Sequence, residues 1–175
     1  MAALSEVQWT QPEKKNYADF SKRLPQLLEI YQLKGYYFAK HIFDLKATYT
    51  PLSEERAVEV VLSTIDNAPI YYTVDGTVPT TQSTRYIDPV LITKTAAFKA
   101  VAIRAEKSSL VTSEDIVFNK ATGCPIIFGT QPSDKYKFKG ATTLVDGLRG
   151  NDSYATGRWI GFIGHDAEVI IDLQK

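Results

Sequence analysis

Two pairs of neighbouring acids, Glu54-Glu55 and Glu114-Asp115, are the first residues in this 175-residue chain whose chemistry invites a test. Glycoside hydrolysis by acid and base needs two carboxyl groups placed across the scissile bond. Both pairs flank predicted strands in polar surroundings, so they read as solvated strand-end charges. His41 lies in an apolar, strand-like run and reads as a satisfied structural imidazole. His165, in Gly164-His165-Asp166, reads as a loop residue. Cys124 precedes Pro125 with no evident histidine or asparagine partner, which suits a small buried or half-buried thiol. No phosphate-cradling glycine loop, HExxH helix or EF-hand loop occurs. No catalytic residue is assigned.

Asp146-Gly147 and Asn151-Asp152 place carboxylate and amide oxygens along a glycine-rich stretch. Such oxygens suit calcium, a hard ion with many oxygen ligands. The same dipeptides are also common turn formers. Tyr71, Tyr72, Tyr86, Trp159 and Phe162 carry rings that could stack on a sugar. Strand alternation sends Tyr71 and Tyr72 to opposite faces, so they cannot both line one site. One reads as core and the other as outer face. Trp159, in "GRWIGF", is either a core ring or a sugar platform.

The elements that would position these residues fall into three textures. From Thr10 to Lys34 the apolar residues Tyr17, Phe20, Leu24, Leu27, Leu28 and Tyr31 recur at helical spacing. Thr10-Gln11-Pro12-Glu13 reads as a capping box. Pro25 predicts a kink, or a second helix that it opens, because proline lacks the N–H of the helical ladder. Gly35 reads as the C-terminal cap. From Tyr36 to about Lys120 the period is two, with Val58, Val60 and Leu62 on one face of a strand and Ile70, Tyr72 and Val74 on one face of another. Phe98 to Ile103 and Ile116 to Phe118 read as further strands. Turns at Asp66-Asn67, Asp75-Gly76, Asp88-Pro89 and Lys107-Ser108-Ser109 separate such runs, the pattern of an all-β sandwich. After Ala121 glycines punctuate the chain, and its one clear strand is Glu168 to Leu173.

Twenty basic residues balance twenty acidic ones. That balance lacks the basic excess that nucleic acid or an anionic membrane surface calls for. No apolar run approaches the roughly 20 residues that span a bilayer. The N-terminus has no signal-peptide pattern, and a single cysteine allows neither an intrachain disulfide nor a thiolate metal cage.

Three resemblances follow one another along the chain. Ala3-Leu4-Ser5-Glu6-Val7-Gln8-Trp9-Thr10, with Pro12, Lys15, Phe20, Arg23 and Leu24, resembles the end of the catalytic barrel of family 20 glycoside hydrolases, the β-N-acetylhexosaminidases. "IYYTVDGTVPT" from Ile70 to Thr80, Ser83 with Tyr86, and Lys99-Ala100-Val101-Ala102 resemble the chitobiase/β-hexosaminidase C-terminal domain. "TTLVDGLRGNDSYATGRWIGFIGHDAEVIIDLQK" resembles the first half of a discoidin-like (coagulation factor type C) domain, with Gln174 where a glycine is usual.

The resemblances imply a mainly β chain. Residues 1–46 would be one or two α-helices left from the (β/α)8 barrel, with Glu6 and Trp9 as packing residues. Residues 47–120 would form an immunoglobulin-like β-sandwich, and residues 121–175 a partial jelly-roll. They imply a fragment of a secreted or periplasmic enzyme whose barrel lies upstream. In that family an adjacent Asp-Glu pair works with the substrate's own acetamido oxygen, an exception to the two-carboxylate scheme. No Asp-Glu dipeptide occurs here, so the chain alone is expected to be inactive. The discoidin-like match implies glycans as partners, with Trp159 as the sugar-binding candidate, and structural calcium with Asp146 as the metal candidate. A stand-alone carbohydrate-binding or adhesion module is the alternative.

Overall fold

The computed structural model describes residues 2–39, 41–105 and 108–173. The turn expected at Lys107 and the departure at Gln174 lie outside them. Among the described residues the chain is mostly β. Nine strands make three antiparallel sheets, two α-helices precede them, and no sheet closes into a barrel. The chain divides into two compact units, residues 1–44 with 64–68, and residues 45–63 with 69–175.

The first unit holds α1 (Ala2–Trp9) and α2 (Tyr17–Leu33), joined through a 3-10 turn at Pro12–Lys14. The expected capping box does not form. Gln11 precedes the short turn and makes no side-chain cap. Asn16, in an extended conformation, caps α2 instead, its Oδ1 accepting from the Asp19 N–H at 3.1 Å. Pro12 suits the opening of a 3-10 turn because the N–H it lacks would be unpaired there anyway.

Helix α2 runs through Pro25 without a second start. Proline withdraws one ladder bond, and the remaining turns carry the helix on. Gly35 ends it as expected, with φ of +71°. The Tyr36 N–H donates to the Tyr31 carbonyl and the Gly35 N–H to that of Gln32, the paired bonds of a Schellman cap. That reversal lays Tyr36 and Phe38 edge-on to Tyr31, at centroid distances of 5.8 and 6.2 Å.

Trp9 is 87% exposed. One expectation in this unit is corrected. His41 lies in a 3-10 turn (His41–Phe43), not in a strand; it is exposed, with Nδ1 3.3 Å from Asp44.

The second unit is built on two facing sheets. One runs β1 (Lys46–Leu52), β2 (Ala57–Ser63), β5 (Val90–Ile92); the other runs β4 (Thr84–Arg85), β3 (Ile70–Thr73), β6 (Ala96–Ala102), β7 (Thr112–Ile116). Val58, Val60 and Leu62 alternate inward as their spacing predicts, and Phe98, Ala100 and Ala102 do so from the other sheet. Tyr49 of β1 meets Phe98 of β6 edge-on at 6.4 Å, so aromatic rings join the two sheets at the core. Asp75-Gly76 forms a turn, with Gly76 at φ +82° and its Cα too close to Ala97 for an easy side chain.

Where a partial jelly-roll is expected, the chain forms 3-10 turns and one small sheet. Strand β8 (Ile126–Phe128) pairs with β9 (Val169–Ile171). Strand β9 lies within the expected run, and β8 has no counterpart in the sequence reading. This stretch belongs to the same compact unit as the sandwich. Backbone bonds tie the loops beyond β7 together: Val117 N–H to the Gly147 carbonyl, and Gly123 N–H to that of Val145, both 2.8 Å.

Candidate functional site

A cluster of partly buried charge forms where residues 139–159 meet the sandwich. Alternation in β7 puts Thr112, Glu114 and Ile116 on one face and Ser113 and Asp115 on the other. Ile116 is fully buried, so Glu114 shares an inward face. This corrects the reading of Glu114-Asp115 as a solvated pair. Only Asp115 is exposed; the Glu114 side chain is 12% exposed. Glu54 and Glu55 lie in an exposed turn.

Arg158 comes to Glu114 from 44 residues away. Its Nη1 donates to Oε1 at 2.7 Å and its Nη2 to Oε2, the two-pronged geometry that a planar guanidinium makes best. Nη1 also donates to the Arg149 carbonyl at 3.2 Å. The hydrogen bonds to Glu114 hold the Arg158 pKa above its ordinary value. Gly157, at φ +74°, supplies the left-handed turn that precedes Arg158.

Three more groups surround this pair. Tyr49 is buried, and among the described residues its hydroxyl has no hydrogen-bond partner. Burial, then the charge of Glu114, pushes its pKa up to about 12. Asp146 is buried too, and burial raises its carboxyl pKa. The Leu148 N–H, donating to Oδ1 at 2.8 Å, and the charges of Lys139 and Arg158 act against that rise, while Glu114 adds to it. Lys139 Nζ donates to the Tyr49 carbonyl at 3.3 Å.

This arrangement clamps more readily than it catalyses. The carboxylate of Glu114 is engaged on both oxygens by Arg158. Among the described residues no group of three or more His, Cys, Asp or Glu side chains is placed to hold a metal ion. Asp146 is the one buried carboxylate on its loop. The Asn151 side-chain oxygen accepts from the Ser153 N–H, as in a local turn.

The aromatic candidates are distributed rather than gathered. Tyr72 stacks on Phe98 at 5.7 Å. The Tyr86 hydroxyl accepts from the Leu62 N–H, just past the β2–β5 pairing, which ends at Val60. Tyr71 is half-buried. Phe162 packs edge-on to Phe128 and to the exposed His165. Trp159 is about half exposed. Its Nε1 donates to the Asn151 carbonyl at 2.8 Å, and its ring lies so close to Gly150 that a Cβ there would sit 2.5 Å from it. Cys124 is a buried free thiol.

Tyr49, Lys139 and Arg158 were not among the sequence candidates. The burial of Glu114 was signalled by Ile116 two residues on. Nothing local signals its distant cation.

Residues 60–116 match the family model described as Fn3 associated. That domain type occurs in the C-terminal regions of chitobiases and hexosaminidases, and it fits the β-rich unit it falls on. No curated protein matches the chain. Among the described residues no helix is long and apolar enough to cross a membrane.

Proposed function

We propose that this chain is a non-catalytic C-terminal portion of a β-N-acetylhexosaminidase, a secreted or periplasmic enzyme that removes terminal N-acetylhexosamines from glycans. The Fn3-associated match over residues 60–116 is the observation that carries the reading. The helices before it and the glycine-rich stretch after it agree with the order of the family 20 and discoidin-like resemblances. The charged cluster at Glu114 and Arg158 supports a scaffolding role, since both groups are spent on each other. Calcium at Asp146 belongs to the same proposal. A carboxylate whose ionisation burial disfavours is one that a cation would relieve.

Sequencing the coding region upstream of residue 1 tests the reading, together with an assay of the chain on a chromogenic N-acetylglucosaminide. A barrel carrying an Asp-Glu pair, and no turnover by the chain alone, are expected. Turnover by the chain, or an unrelated upstream sequence, overturns the proposal. A stand-alone glycan-binding module is favoured by one observation, the half-exposed Trp159 ring fixed against Gly150. Binding to a glycan array that Trp159→Ala abolishes is the result that reading requires.

A further inference from the structure

We draw no further inference here: the strongest candidate, the surface patch of exposed rings that Phe138, Tyr154 and Trp159 present on the stretch between β8 and β9, restates the glycan-binding reading already given for Trp159, and nothing in the structure shows what else would cover it.

Discussion

Replacing Arg158 by methionine keeps most of the aliphatic stem and removes the guanidinium from Glu114. Two charge-assisted hydrogen bonds disappear, each worth about 1.5–3 kcal/mol. Glu114 is then left inside the unit without its cation, a change that costs about 3–5 kcal/mol for a fully buried pair. Arg158 is 28% exposed and Glu114 12%, so water recovers part of that loss. A net loss of about 3 kcal/mol follows. At about 4 °C per kcal/mol for a unit of this size, the melting temperature falls by about 12 °C. Glu114→Leu combined with Arg158→Met removes the stranded charge and is expected to regain most of the loss.

The assay is thermal unfolding in a Trp9→Phe background, where Trp159 is the one indole left. Its fluorescence reports residues 149–159, and far-ultraviolet dichroism reports the sheets. Both midpoints are expected to fall together, because the pair ties those residues to β7. A change under 1 kcal/mol would refute the assigned burial. A fall seen by fluorescence alone would refute the tie between the C-terminal stretch and the sandwich.

Asp146→Asn is expected to raise stability at neutral pH. Burial holds the Asp146 pKa above its unfolded value, so its contribution is full below the unfolded pKa and is lost as pH rises through the folded one. The gain of the variant should therefore grow with pH in a melting series and vanish in acid. Calcium should raise the midpoint of the parent and leave that of Asp146→Asn unmoved; equal shifts in both would remove Asp146 as a ligand. Tyr49→Phe removes a buried hydroxyl without a partner among the described residues and is expected to leave the melting temperature unchanged or raise it by the equivalent of about 1 kcal/mol. Alkaline titration at 295 nm should show one tyrosine ionising near pH 12 in the parent that is missing from this variant.

Period and punctuation made much of the fold legible. The alternation of Val58, Val60 and Leu62 reports one half-buried face, and burial in a strand repeats every two residues whatever the strand packs against. The recurrence from Tyr17 to Tyr31 announces a helix in the same way, and Gly35 its end, because the left-handed cap favours glycine. Helix α2 starts after Asn16 rather than Thr10 because both residues suit an N-cap and Pro12 commits the residues between them to a separate turn. Strand β8 was missed because three residues carry no period; its pairing with β9, about forty residues on, makes it a strand.

The candidate site depended on tertiary structure almost entirely. Composition and spacing by themselves determined a mainly β chain with leading helices, without an Asp-Glu dipeptide and with the signature from Ile70 to Tyr86. Only the folded chain decided that Glu114 lies inside and Asp115 outside, and that Arg158 neutralises Glu114. A residue's periodic setting is a local property that the chain carries with it. The partner of a buried charge is a property of distance in space, and 44 residues of intervening chain leave no local trace of it.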